Sequence, residues 1–105
     1  MIYFITQGDD YVKIGYTKNN PGDRLISLQI GNPNLLVLYK VIDGGKAKEE
    51  ALHTRFNIYH RRGEWYWLSG ELKRYIDSER AYSVDIDRHI EKYKDVVSIL
   101  NGNRA

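Results

Sequence analysis

Two short apolar runs near the N-terminus, separated by a polar turn, constrain the fold of this chain more than any other feature. The runs span residues 2–6 and 11–17, and Gly8, Asp9 and Asp10 between them are typical of a hairpin turn. The chain therefore begins with a predicted antiparallel β-hairpin, around which the remaining elements must pack.

The predicted hairpin carries polar-tipped side chains on one face. Because side chains alternate along a strand, Tyr3 lies on one face of the first strand, and Tyr11, Lys13 and Gly15 share a face of the second. If the register pairs these two faces, they form one surface, on which Gly15 leaves room for a bulky ligand. Tyr16 then points to the opposite face.

The rest of the chain predicts a mixed α/β sandwich around a small sheet, in the order β-β-α-β-α-β-α-α. Asn20 and Pro21 are a typical N-cap and first helical residue, and Gly31 ends that helix. The nearly continuous apolar run 35–42 favours a strand buried on both faces, at the centre of the sheet. The further predicted elements are a helix over 46–59 whose apolar side is Ala47, Ala51, Leu52, Phe56 and Tyr59, a loop over 61–63, a short strand over 65–68, a helix from Ser69 to about Ile76, and a last helix over 84–100.

Length and composition narrow the class of protein. A chain of 105 residues favours one domain, and the absence of cysteine excludes disulfides and thiolate metal sites. No apolar run approaches the roughly 18 residues of a membrane span, and Met1 begins directly on a predicted strand. We therefore expect no signal peptide, no membrane partner and a cytoplasmic protein. The formal net charge of +2 is compatible with a nucleic-acid partner without requiring one.

Several motifs resemble those of one nuclease superfamily. Ile2-Tyr3, then Lys13-Ile14-Gly15, then Arg24 resemble the GIY-YIG pattern in their order and spacing. The stretches V-K-I-G-Y-T, L-I-S-L-Q-I-G-N-P, E-E-A-L-H-T-R-F and G-E-W-Y-W-L-S are similar to its T5orf172 or Mug113 branch, common in phage and bacterial proteins. The resemblance predicts a nuclease domain over residues 1–77. Residues 78–105 are then a C-terminal helical extension packed on the same domain.

The resemblance implies an α+β fold, with a small three-stranded antiparallel sheet flanked by helices, and a DNA-hydrolysing site that uses one divalent ion, Mg²⁺ or Mn²⁺. Tyr3 matches the tyrosine that positions or activates the attacking water, and Arg24 matches the arginine that binds the scissile phosphate. Glu49 matches the glutamate that holds the metal. Since Mg²⁺ takes oxygen ligands and keeps several waters, one carboxylate can suffice.

Two neighbouring positions allow more than one interpretation. Lys13 stands where most of the superfamily has a tyrosine, and its ammonium could lower the pKa of Tyr3 or hold a phosphate. It could equally be a solubilising strand charge. His53 lies four residues after Glu49 on one helical stripe, where it could orient water, move a proton or bond the glutamate. A structural role for His53 stays open as well.

A basic cluster before Gly63 suggests where DNA would bind. Basic groups beside aromatic rings suit nucleic acids, although a solvated helix end with the tryptophans packed inward would look the same. We expect one of the two tryptophans to be buried. Glu64 could serve the site or form only an ion pair with Arg62. The predicted DNA-binding residues are Arg55, Arg61, Arg62, Tyr16 and Lys18, and the predicted supporting residues are Gly15, Glu64 and Trp65.

Three functions from different classes remain open at this stage. The first is a metal-dependent endonuclease, which requires Tyr3, Arg24 and Glu49 to converge on one pocket. The second is a catalytically weak or inactive DNA-binding module on the same fold. The third is an interaction protein, for which the apolar stripe of residues 84–100 could bind a partner or form a homodimer.

Overall fold

The computed structural model describes residues 1–82, which form one antiparallel sheet and three α-helices. The strands and helices alternate along the chain much as the sequence predicts. They are β1 (Ile2–Gln7), β2 (Tyr11–Tyr16), α1 (Pro21–Gln29), β3 (Leu36–Ile42), α2 (Lys46–Arg55), a 3₁₀ turn (Asn57–Tyr59), β4 (His60–Arg62), β5 (Trp65–Trp67) and α3 (Gly70–Ser78).

The sheet has five strands in the order β3-β1-β2-β5-β4, so the expectation of three strands is wrong. Strand β5 pairs with residues Tyr11, Val12 and Lys13 of β2, and β4 pairs with β5. The residues at 61–62, which the sequence predicts as loop, therefore belong in part to a strand. A single glycine-containing turn closes this second hairpin, and its strands are too short to recognise from alternation.

Strand β3 lies at an edge of the sheet and not at its centre. It pairs with β1 on one side, and Val37 and Tyr39 are 47% and 38% exposed. The continuous apolar run is therefore misleading, because only part of it faces the core. The pairing of β3 with β1 also shifts in register between Phe4 and Ile5, which interrupts the alternation of buried and exposed side chains along β3.

Helices cover both faces of the sheet. Helix α1 packs Leu25 on the face that carries Tyr3, which we call the α1 face. Helices α2 and α3 cover the opposite, α2/α3 face, through Leu52 and Ile76 among others. The buried residues of the α1 face are Tyr3, Ile5, Leu25, Leu36 and Val41, and those of the α2/α3 face are Ile2, Phe4, Val12, Ile14, Ile42, Leu52, Phe56, Tyr66, Leu68, Leu72 and Ile76.

Helix α2 is shorter and less apolar than the sequence predicts. It ends at Arg55, and Ala47 and Ala51 are exposed, so the apolar side reduces to Leu52 and the residues just after the helix. The side chain that shares the buried stripe with Leu52 is Glu49, only 3% exposed. A buried carboxylate is costly unless it is paired, which makes Glu49 a candidate for function.

The start of α1 follows the predicted cap. The side-chain oxygen of Asn20 accepts a hydrogen bond from the Gly22 N–H at 2.9 Å, and Pro21 is the first helical residue. The last helical residue is Gln29 and the C-cap is Ile30, so Gly31, with a φ of 80°, ends the helix as predicted. This capped start places Arg24 one turn into the helix, above the hairpin.

We expect Lys40→Met to lower the free energy of unfolding by about 1–3 kcal/mol. Lys40 Nζ donates to the main-chain oxygens of Ile76, Asp77 and Glu79 at 2.7, 3.3 and 2.8 Å, and so binds the C-terminal end of α3 to the edge strand β3. Urea denaturation followed by circular dichroism measures the change. Lys48→Met is the matched control, since this exposed lysine donates only one bond, to Asp43. Equal stability of the two variants would contradict the role given to Lys40.

Three predictions fall outside residues 1–82 in whole or in part. The helix over 84–100 and the homodimer built on it lie beyond the described residues, as does most of the extension 78–105. The division at residue 77 stays a prediction. Within the described part of the chain, no helix has the length and apolar character needed to cross a membrane.

Candidate active site

Tyr3 and Gly15 form the floor of the candidate site. They face each other across β1 and β2, and the Tyr3 ring lies directly over the glycine. A Cβ atom built on Gly15 would lie 2.1 Å from Cζ and 2.3 Å from the hydroxyl oxygen of Tyr3. The register therefore pairs the two faces as predicted, but the space over Gly15 holds the Tyr3 ring and not a ligand. Only glycine permits this close approach.

Arg24 extends from α1 to the hydroxyl of Tyr3. Its Nε donates to the Tyr3 oxygen at 3.4 Å, and this hydrogen bond raises the pKa of Arg24, so the guanidinium keeps its charge. The Tyr3 residue is 1% exposed, whereas Arg24 is exposed. The tyrosine thus holds an accessible guanidinium in place, with the planar donor geometry that suits a phosphate.

Lys13 and Glu64 form the next contact on the same face. Lys13 is only 8% exposed, and its Nζ donates to Glu64 Oε1 at 2.7 Å. The main-chain oxygen of Glu64 also accepts from the Ile14 N–H at 3.0 Å, which fixes the loop against β2. The ion-pair partner of Glu64 is therefore Lys13, where the sequence suggested Arg62. A buried ammonium with a close carboxylate avoids the cost of an unpaired charge.

Glu49 and His53 approach from α2, one turn apart. His53 Nε2 lies 3.0 Å from the main-chain oxygen of Ile14 and 3.9 Å from Glu49 Oε2. Lys46 Nζ donates to the other oxygen of Glu49 at 3.0 Å. Because a carbonyl oxygen only accepts, the Ile14 contact requires a proton on Nε2 of His53. This nitrogen is then a donor to the strand, which confirms neither catalysis nor metal binding by His53.

The two faces of the sheet meet at the edge of β2. Strand β5 pairs with β2 only as far as Lys13. At the next residue, the Ile14 N–H donates to the main-chain oxygen of Glu64, and the Ile14 oxygen accepts from His53 of α2. One ligand atom from each of Glu49, His53 and Glu64 lies within 4.8 Å of the others, and this is a group of the described residues that could hold a metal ion. Residues from both faces therefore converge on one small acidic site.

Tyr66 borders this site and was not predicted as part of it. Burial and the nearby carboxylates of Glu64 and Glu49 raise the pKa of Tyr66, so its hydroxyl stays protonated at neutral pH. Its ring meets the His53 ring edge-on, with centroids 5.3 Å apart. Side-chain alternation along W-Y-W places Tyr66 on the face opposite to both tryptophans, and this pattern could have indicated from the sequence that Tyr66 faces α2. The adjoining cleft of about 420 Å³ is lined by His53, Thr54, Asn57, His60, Gly63 and Tyr66.

Comparison with known proteins agrees with the sequence motifs. The family model described as the T5orf172 domain matches residues 1–84 of the chain. This chain belongs to the T5orf172 domain family. The match spans every described residue, and family membership confirms the resemblance on which the site assignments rest. Neither the curated proteins nor the solved structures gave a match.

The basic residues of this T5orf172 domain do not form one cluster. The guanidinium carbon of Arg55 lies 4.8 Å from the centre of the Phe56 ring and 5.0 Å from that of Tyr75, on the side of α3. Arg61 and Arg62 instead line a groove on the α1 face. Of the predicted DNA-binding residues, the structure brings only these two arginines together.

The remaining predicted residues lie around the domain's hairpin and its neighbour β5. Tyr16 is half-buried and pairs with Ile2, so it does point to the α2/α3 face, while Lys18 is exposed in the loop before α1. The expected burial of one tryptophan is only partly met. Trp65 is half-buried against the α1-face core, and Trp67 is 43% exposed.

Proposed function

We propose that this T5orf172 domain is a metal-dependent endonuclease that hydrolyses phosphodiester bonds in DNA. The observation that carries the proposal is the convergence of the Glu49 and Glu64 carboxylates beside Lys13 of β2. The same hairpin carries Tyr3, whose hydroxyl contacts Arg24 of α1. A buried carboxylate, a second carboxylate and two cations at one edge suit a reaction that needs a hard metal and a bound phosphate.

The donor set fits Mg²⁺ or Mn²⁺. Hard divalent cations prefer carboxylate oxygens and retain water in their remaining positions, so Glu49 and Glu64 would hold the ion. His53 Nε2 is already a donor to the Ile14 oxygen, which leaves this histidine to position α2 against the edge of β2. A bound divalent ion would supply charge to polarise the phosphate and acidify a water molecule.

The residues of the α1 face supply the rest of the chemistry. Arg24 binds two oxygens of the scissile phosphate, because its exposed guanidinium can make two parallel hydrogen bonds. Tyr3 is itself buried, and its hydroxyl orients that guanidinium, so it acts on the phosphate through Arg24. Lys13 neutralises charge at the reacting centre, and Glu64 keeps its ammonium in the site.

Arg24→Ala should reduce cleavage about 10²–10³-fold, the range measured when one preorganised donor is removed from a developing negative charge. The assay follows cleavage of circular DNA, in single-stranded and in supercoiled forms, at low salt with Mg²⁺ or Mn²⁺ and with a chelator as blank. Arg74→Ala is the matched control, since Arg74 is exposed on α3 at the opposite face. Equal activity of Arg24→Ala and wild type would overturn the role of Arg24.

One observation favours a second candidate, a DNA-binding module that does not hydrolyse its ligand. Lys13 occupies the position of a tyrosine in the superfamily, and its ammonium is already neutralised by Glu64. On this alternative, wild type leaves both forms of DNA intact with every metal, yet retards DNA on a gel. Arg24→Ala would then abolish the retardation.

A further inference from the structure

A groove on the α1 face combines aromatic rings with two arginines. It has a volume of about 390 Å³ and is lined by Gln7, Tyr11, Arg61, Arg62 and Trp65. Trp67 stands at its side, with its ring centre 4.9 Å from that of Tyr11. We call these six residues the aromatic groove. Helix α1 packs over the other part of this face, beside β1 and β3, and leaves the β2–β5 part accessible.

An irregularity in β4 directs two adjacent arginines into this groove. In a regular strand, Arg61 and Arg62 would point to opposite faces. The pairing of β4 with β5 shifts in register between His60 and Arg62, and both arginines line the groove. A bulge commonly re-aims a side chain next to a binding site. The guanidinium carbon of Arg61 lies 5.6 Å from the centre of the Trp67 ring, a favourable cation–π distance.

Exposed flat groups of this kind select a ligand with accessible ring faces. Trp67 remains 43% exposed even though Tyr11 and Arg61 contact it. In a duplex, the grooves present base edges, and the base faces are covered by their stacked neighbours. Unpaired bases instead stack on aromatic rings and on arginine planes, while nearby guanidinium groups neutralise the phosphates. The chemistry of the groove therefore matches an unpaired nucleic-acid strand better than a duplex.

The aromatic groove runs into the candidate active site. Trp65 pairs with Lys13 in the register of β2 and β5, and Lys13 donates to Glu64. Tyr11 precedes Lys13 by two strand residues, which corresponds to about 7 Å along β2. This is roughly the length of one nucleotide of an extended strand, so a strand in the groove can place its next phosphates near the cations Lys13 and Arg24.

We infer that the aromatic groove binds unpaired DNA next to the scissile phosphate, which makes single-stranded DNA the preferred substrate. The inference rests on the proposed function for the role of the neighbouring site. The binding itself requires no hydrolysis, because the groove residues are distinct from Glu49 and His53.

The test measures binding in excess chelator, where metal-dependent cleavage cannot occur. Fluorescence anisotropy compares a labelled oligothymidylate of about 16 nucleotides with a blunt-ended duplex of about 16 base pairs, at low salt. We expect wild type to bind the single strand more tightly, and Trp67→Ala to weaken that binding about 10-fold or more. Tyr82→Ala is the control, because Tyr82 is an aromatic residue of similar exposure, 41%, away from the groove. A duplex bound as tightly as the single strand would overturn the inference.

A second variant guards against loss of folding. Trp67→Leu keeps apolar bulk beside Tyr11 but removes the ring face, and it should weaken binding as Trp67→Ala does, with an unchanged circular dichroism spectrum. Undiminished binding by the folded Trp67→Leu variant would also overturn the inference. If the nuclease proposal alone is wrong, the result differs: single-strand binding persists, but neither form of circular DNA is cut when a metal ion is added.

Discussion

Glu49→Gln should abolish metal-dependent cleavage while the domain stays folded. Glutamine keeps the size of the side chain and removes the charge that a divalent ion requires. Even the loss of an outer partner of a metal ligand costs about 10–100-fold, so we expect cleavage to fall by at least about 100-fold. The measurement is the cleavage rate of circular DNA across a range of Mg²⁺ and Mn²⁺ concentrations, beside circular dichroism of each variant.

Burial distinguishes Glu49 from its neighbour and supplies the control. Glu49 is 3% exposed and contacts Lys46, whereas Glu50, the next residue of α2, is exposed. Glu50→Gln removes the same charge from the same helix and should leave cleavage unchanged. Because the side chain of Lys46 is 65% exposed, its ammonium stays solvated when Glu49 is neutralised. Equal cleavage by the Glu49→Gln and Glu50→Gln variants would exclude Glu49 as a metal ligand.

Gly15→Ala should have the largest effect on packing. The new methyl group would lie 2.1 Å from Cζ of Tyr3, far inside van der Waals contact, so the ring must leave its position over β2. Overpacking of this kind costs about 1–3 kcal/mol. Displacement of the ring also removes the Tyr3 oxygen from Arg24, which lowers cleavage. Urea denaturation and the circular-DNA assay measure the two effects.

A double-mutant cycle isolates the contact between Tyr3 and Gly15. Tyr3→Ala removes the ring with which the new methyl group clashes, so Gly15→Ala should cost much less stability in that background than in wild type. Tyr3→Phe separates the second effect, since it keeps the ring over Gly15 and loses only the hydroxyl that contacts Arg24. If the stability losses of Gly15→Ala and Tyr3→Ala simply add, the ring does not occupy the space over Gly15.

Elements held by contacts between residues close in sequence were predictable. The Gly-Asp-Asp turn defines the β1–β2 hairpin, and its register follows from alternation, which brought Tyr3, Lys13 and Gly15 to one face. Asn20 caps α1 as predicted, because the cap bond joins residues two apart. The cap thus places Arg24 one turn into α1, whereas its contact with Tyr3, 21 residues away, depends on how the helix packs on the sheet.

The acidic site was only partly predictable, because its second carboxylate comes from a distant part of the chain. Glu64 is 51 residues from Lys13, and nothing in the sequence around either residue indicates that the two are in contact. The same applies to the placement of β3 at the sheet edge and to the aromatic groove, which requires β5 to pair with β2. Such pairings depend on which strand edges remain available after the core has formed.

Short-range hydrogen bonding and side-chain alternation thus specify the hairpin, the capped helix and the shared face of Tyr3 and Lys13. Tertiary packing decides the rest. It brings Glu49 and Glu64 within reach of one ion and directs Arg61 and Arg62 into one groove. The physical reason is that a strand edge or a helix face pairs with whatever surface the whole fold presents, and a carboxylate becomes a metal ligand only when a second donor meets it there.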